Sequence, residues 1–178
     1  MEIKIRKTIS EDREAIKTIL IDTQIFNQEE IDCALELIDI YLNNPSQKDY
    51  LISTAIKQGQ GSGKNKLAPC PLPLTPSFEV VGYVCYGKAP LTNGAYDLYW
   101  IAVKSNYQRQ GIGKNLLKYV EDEIVKFSGR ILLAETSSRK VYVKTRQFYI
   151  NNSFSEEARI KDFYSKGDDK IIYRKNML

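Results

Sequence analysis

Between Ala95 and Phe127 a β-type run is followed, after a short break, by an amphipathic helix, and the break holds two glycines one residue apart. That succession limits the fold more than any other part of the chain. Ala95–Val103 is rich in Tyr, Trp, Ile and Val and reads as a strand. Ile112, Leu116, Leu117, Val120, Ile124 and Phe127 recur at helical spacing and give the next element one apolar face, which Ser128-Gly129 closes. A strand delivered straight into a helix puts both against one core, so the helix must pack on a sheet. The connection, Gln108-x-x-Gly111-x-Gly113, also has a chemical reading. The first turn of a helix carries unpaired N–H groups and the positive end of the helix dipole. Glycine lets an anion come close to the backbone, and Arg109 and Lys114 add charge. The segment is a candidate pyrophosphate cradle. Taken alone, the glycines also fit a plain helix start. A dinucleotide fingerprint would need a third glycine at Asn115 or Leu116.

The remaining periodicities complete a mixed α/β pattern. Residues 2–7 alternate as a strand. Ser10, with Glu11 and Asp12 after it, marks a helix start, and Ala15, Ile16, Ile19 and Leu20 form that helix's apolar face. A second helix starts near Asn27, with Glu30 placed for a capping box, and ends at Asn43-Asn44-Pro45. Tyr50–Ile56 and Phe78–Tyr86 read as strands, the latter turning into Ala95–Val103 through Asn93-Gly94. Ile131–Ala134 is a short apolar run of the kind a buried strand shows. A helix over about 139–151 and strands near 154–163 and 170–175 finish the chain. Residues 58–77 hold three of the ten glycines and four of the six prolines and are expected to form a loop insertion within one domain spanning 1–178. Gln58–Asn65 superficially resembles a P-loop, but Gln58 stands where that motif needs glycine and Asn65 where it needs Ser or Thr.

Composition removes several chemistries. The chain has no histidine, so Ser-His or Cys-His nucleophiles and His-ligated metals are excluded. Proton transfer must use a carboxylate, tyrosine, lysine, cysteine or water. The three cysteines match no metal spacing and read as free thiols. A net charge of +4 is too small to argue for nucleic acid. No stretch reads as a signal peptide or membrane span, so a cytoplasmic protein without membrane or nucleic-acid partners is expected.

The segment from Asp97 to Thr136 resembles the acetyl-CoA motif of the GNAT family of N-acetyltransferases, with Val103, Gln108, Gly111 and Gly113 at matching positions. Phe148-Tyr149-Ile-Asn-Asn-Ser-Phe154 is similar to the family's second motif, and the spacing between the two blocks agrees. The resemblance implies a central mixed sheet of about six to seven strands, flanked by about four helices and splayed at the acetyl-CoA site. It also implies transfer of an acetyl group from acetyl-CoA directly to a primary amine of a small molecule or a peptide, without metal, by a monomer or homodimer. In this reading Arg109, Gln110, Gly111, Ile112, Gly113 and Lys114 hold the CoA pyrophosphate through their backbone, with Gln108 beside them. Ile101, Ala102 and Val103 pair with the pantetheine arm as an added strand. A backbone donor stabilises the oxyanion. Tyr149 aligns with the tyrosine that protonates the departing thiolate. Glu135, or alternatively Asp97, is placed to take the proton from the ammonium.

The chain departs from the family pattern at two motif positions. Tyr142 stands where many relatives carry Asn, with Thr145 and Arg146 nearby. Ser153 stands where they carry glycine, so Asn151 or Asn152 is expected to take the left-handed helix-end conformation. A cluster of Tyr83, Tyr86, Tyr96, Tyr99 and Trp100 could form an aromatic pocket for a cation or simply belong to a half-buried sheet. A non-catalytic acyl-CoA-binding sensor or partner-binding module of the same fold is the alternative function.

Overall fold

A computed structural model of the chain describes residues 2–58 and 78–177. Along the chain come β1 (Ile3–Lys7), α1 (Arg13–Asp22), α2 (Gln28–Asn43), β2 (Leu51–Gln58), β3 (Phe78–Lys88), β4 (Ala95–Val103), α3 (Ile112–Lys126), β5 (Ile131–Ser137), α4 (Val143–Asn151), β6 (Ser155–Ser165) and β7 (Asp168–Asn176). This is the order of elements that the periodicities predict. Gln58, expected within the loop insertion, is instead the last residue of β2 and pairs with Phe78 of β3. Residues 59–77, with Cys70 and the P-loop-like run, lie outside the described residues.

The strands form one sheet in the order β1-β2-β3-β4-β5-β7-β6. Every neighbouring pair is antiparallel except β4 and β5, which the α3 crossover makes parallel. Side-chain alternation divides the core between the two faces. On one face α1 and α2 bury Ile16, Ile19, Leu20, Ile31, Ala34 and Ile38 against Ile52, Tyr83 and Cys85. On the other, α3 buries Ile112, Leu116, Leu117, Val120 and Ile124 against Val84, Leu98 and Leu132, and Tyr149 of α4 joins them.

Helix ends follow local chemistry, with two departures from expectation. Ser10 does not cap the first helix. Instead, Asp12 accepts from the Ile9 N–H at 3.0 Å and pairs with Arg6 at 2.6 Å, so α1 proper starts at Arg13. A charged carboxylate is the stronger acceptor there. The second departure is at the end of α4. Ser153 itself is left-handed, at φ +67°, while Asn152 is not. Phe154 N–H donates to the Tyr149 carbonyl and Ser153 N–H to that of Ile150, both at 3.1 Å, and the rings of Tyr149 and Phe154 lie 5.4 Å apart. These are the bonds and the apolar contact of a Schellman motif, which puts the left-handed residue two past the helix whatever its side chain. The expected capping box of α2 is present, with Asn27 and Glu30 bonding reciprocally.

The feature that positions the site is a failure of pairing. β4 and β5 are joined by only four residue pairs, Ala95/Ile131 to Leu98/Ala134. At the next position the β3–β4 register shifts: Trp100 opposes Cys85 and Leu98 opposes Tyr86, which leaves Tyr99 bulged. A bulge adds twist and bends its strand. Beyond it β4 stays with β3 through Val103, while β5 stays with β7 through Ser137. The two strands therefore part, and the β5-facing edge of β4 from Tyr99 onward has no strand partner among the described residues.

Candidate active site

The split opens into a cleft of about 1330 Å³ that runs through the sheet between its two helical faces. At one end lies the turn into α3. Gly111 has φ +83°, a left-handed conformation that any Cβ would strain, and it caps the helix. Asn115 N–H makes the first helical bond, to Gly111 O at 2.9 Å. The backbone N–H groups of residues 109–114 donate to no described group, so six successive donors surround the helix start. Arg109 and Lys114 are exposed beside them and lie in no ion pair with a described residue. Gly113 lies against the Phe148 ring and Val103, both of which line the cleft. Donors, dipole and two cations together fit a diphosphate.

The walls of the split carry the other expected residues. Ile101, Ala102 and Val103 line it along the free edge of β4. Gln108 Nε2 already donates to the Val103 carbonyl at 3.1 Å and ties the turn back to the strand. Gln110 and Ile112 do not line the cleft with their side chains. Ile112 is core, and Gln110 holds the turn through the Asn106 carbonyl, so only their backbone faces an anion.

Tyr149 is 5% exposed, packed against Phe148, Phe154 and Tyr173, and it lines the cleft. Burial raises its phenol above the ordinary tyrosine range, so the hydroxyl stays protonated.

The opposite end of the cleft is acidic and aromatic. Glu135 is exposed there and ion-paired with Lys170. Asp97 is half-buried on the neighbouring strand and forms no hydrogen bond or ion pair with a described residue. Burial first, and then the nearby Glu135 charge, raise its carboxyl above the usual range, with Lys170 opposing. Of the five-residue aromatic cluster, Tyr83, Tyr86 and Tyr96 are buried in the core, whereas Tyr99 and Trp100 line the cleft. Phe26 meets Trp100 edge-on at 5.2 Å.

Three contacts that the sequence did not signal set the shape of this end. The Tyr142 hydroxyl donates to Glu30 Oε1 of α2 at 2.7 Å. Arg139 bridges Asp168 and Glu30 at 3.3 and 3.5 Å. Arg146 holds the carbonyls of Ser137 and Arg139 at 2.7 and 3.0 Å. Tyr142 and Arg146 are thus structural here, and of that trio only Thr145 is left simply lining the cleft. Each contact spans separate elements, so no local pattern announces it.

A mixed sheet parted over a donor-rich helix start defines a fold class with known members. The family model for the acetyltransferase (GNAT) domain matches residues 78–166. Among solved structures, a GNAT-family protein from Desulfovibrio desulfuricans is 35% identical, with 99% of this chain and 100% of that one covered and a TM-score of 0.85. The chain belongs to the GNAT acetyltransferase family, and these relatives support an acyltransferase activity. More distant structures share the fold. The ribosomal-protein-S18-alanine N-acetyltransferase of Escherichia coli is 17% identical at TM-score 0.69, covering 99% of this chain and 94% of that one. The PaiA N-acetyltransferase of Thermoplasma acidophilum, solved with coenzyme A, is 20% identical at TM-score 0.67, covering 99% of each chain. Comparison with curated proteins gives no match. Among the described residues no helix is long and apolar enough to cross a membrane.

Proposed function

We propose that the protein transfers an acetyl group from acetyl-CoA directly to a primary amine carried by a small molecule or a peptide. The observation that carries this reading is the run of free N–H donors at 109–114, opening onto the same cleft as the unpaired β4 edge and Tyr149. The donors and the Arg109 and Lys114 charges bind the diphosphate. The free edge of β4 takes up the amide-containing arm as a strand would. A backbone N–H on that edge, fixed by the β3–β4 ladder, meets the acyl oxygen as charge develops on it.

Two groups then move protons. Tyr149 donates to the leaving sulfur, a role that its protonated, buried phenol suits. On the acceptor side an ammonium must become an amine before it attacks. Glu135 is held by Lys170, whereas Asp97 is unpaired and has a raised carboxyl, which favours Asp97 as the proton acceptor, directly or through water. Glu30, Asp97 and Glu135, with the faces of Tyr99 and Trp100, give this end of the cleft the chemistry to attract a cation.

Thermal unfolding with acetyl-CoA tests the reading. A ligand bound only by the native state raises Tm with the logarithm of its concentration over Kd. The expected result is an upward shift with acetyl-CoA, absent with ATP and absent in Gly111→Asp. No shift in the folded wild type would sink the proposal. A shift without CoA release in the presence of any amine or peptide pool would instead favour the non-catalytic sensor.

A further inference from the structure

Asp22 stands where helix physics disfavours it. It is the last residue of α1, at the negative end of the helix dipole, and no basic residue shares its turn. It is also exposed, so packing does not demand an aspartate there. A local rule broken without a local reason is expected where a distant contact uses the residue.

That contact is Ser105, 83 residues further on. The Ser105 N–H donates to Asp22 Oδ2 and the Ser105 hydroxyl to the Asp22 carbonyl, both at 2.9 Å. The exchange is reciprocal. The carboxylate caps the single 3₁₀ turn Ser105–Tyr107, and the hydroxyl completes a carbonyl that the end of α1 leaves free. The two elements so joined serve different parts of the site. Ser105–Tyr107 leads into the donor-rich turn at 109–114. Asp22 leads into a connection of which Thr23, Ile25, Phe26 and Asn27 line the cleft, with Phe26 against Trp100 at the acceptor end.

The two sides are not held equally. The turn has other anchors: Glu79 accepts from Lys104 Nζ and from the Tyr107 hydroxyl, each at 2.7 Å, and the Lys104 N–H donates to the Val81 carbonyl at 3.0 Å. Thr23–Phe26 makes no hydrogen bond beyond α1 among the described residues, and the next anchor is the capping box at Asn27 and Glu30. Loss of the Asp22–Ser105 pair therefore frees the wall more than the turn.

We propose that Asp22 is a positioning residue for the acceptor: through Ser105 it fixes the Thr23–Phe26 wall against the cofactor turn and so sets the width of the acceptor end. This rests on the acetyl-CoA reading above.

The test compares wild type with Asp22→Ala, Asp22→Asn and Ser105→Ala. Calorimetry reads CoA binding, and kinetics read CoA release from acetyl-CoA with a pool of primary amines and short peptides. Asp22→Ala should need up to about tenfold more of the pool for half-maximal release, the worth of one hydrogen bond, while its maximal rate and CoA affinity stay within about twofold of wild type. Ser105→Ala keeps the N–H and should move in the same direction by less. Asp22→Asn keeps an acceptor oxygen and should stay near wild type. Unchanged half-saturation in Asp22→Ala would overturn the inference, as would CoA binding that weakens in step with it. An equal loss in Asp22→Asn would assign the effect to the charge and overturn the positioning role. Wild type that releases no CoA with the pool would overturn the acetyltransferase reading beneath it, a result distinct from all of these.

Discussion

The Tyr142 hydroxyl and Glu30 Oε1 lie 2.7 Å apart and join α2 to the entry of α4, across 112 residues of sequence. The same carboxylate receives Arg139 and caps α2 through the Asn27 N–H at 2.7 Å. One side chain therefore fixes both a helix start and a wall of the cleft. Tyr142→Phe removes a hydrogen bond to a charged acceptor and should lower stability by about 1.5 kcal/mol. Urea unfolding reads this as a lower midpoint at unchanged m-value. The acceptor KM should rise while acetyl-CoA affinity holds.

Ser153 occupies a conformation that glycine adopts without strain. Ser153→Gly should raise stability by about 0.5–1 kcal/mol, the relief of left-handed strain less the greater freedom of glycine in the unfolded chain. Glycine at Asn152, whose φ is −106°, should give no such gain. Paired denaturation curves of the two variants check the assignment.

Asp97 sets a pH dependence with a definite sign. Its carboxyl is raised in the fold, chiefly by burial, so the native state binds its proton more tightly than the unfolded chain does. Above the raised value the charged form is disfavoured in the fold, and Asp97 subtracts from stability. That penalty fades as pH falls through the raised value and is gone below the unfolded aspartate pKa of about 3.9. Asp97→Asn should therefore raise Tm at neutral pH and not at pH 3. If Asp97 is the base, the same variant should also lose the acidic limb of the kcat/KM profile. An intact limb would transfer the role to Glu135.

Tyr149→Phe separates the buried ring from its hydroxyl. The ring's packing is retained, so Tm should be unchanged, while kcat should fall by about a hundredfold or more if the phenol protonates the thiolate. Stopped-flow release of CoA, compared with acetyl-CoA binding, distinguishes this from a loss of affinity.

What the sequence could reveal was what short-range rules control. The strand–turn–helix at Ala95–Lys126 was legible because helical spacing and the Gly111 conformation are local properties. The capping box at Asn27 and Glu30 was legible for the same reason. Ser153 was misread: the tolerance of asparagine for left-handed backbone drew attention to Asn151 and Asn152, yet the Schellman bonds set the position by count from the helix end. The bulge at Tyr99, which parts β4 from β5, depends on pairing with β3 and leaves no trace in the strand's own pattern. The aromatic cluster divided because alternation and the bulge turn Tyr86 and Tyr96 into the core and leave Tyr99 and Trp100 on the cleft. Glu30 and Arg139 gained their places in the cleft wall only when distant elements met.

The four-pair junction between β4 and β5 makes the sheet two leaves sharing a short hinge. The leaf from β1 to β4 and the leaf of β5, β7 and β6 are each laced internally over longer registers, such as seven pairs for β5 and β7. Whatever fills the split acts as a keystone: it touches both leaves and resists their relative motion where the backbone does not. Stiffness between the leaves then becomes a property of occupancy rather than of the chain alone. Amide exchange along Tyr99–Val103 and Glu135–Ser137 would register that change before any global unfolding.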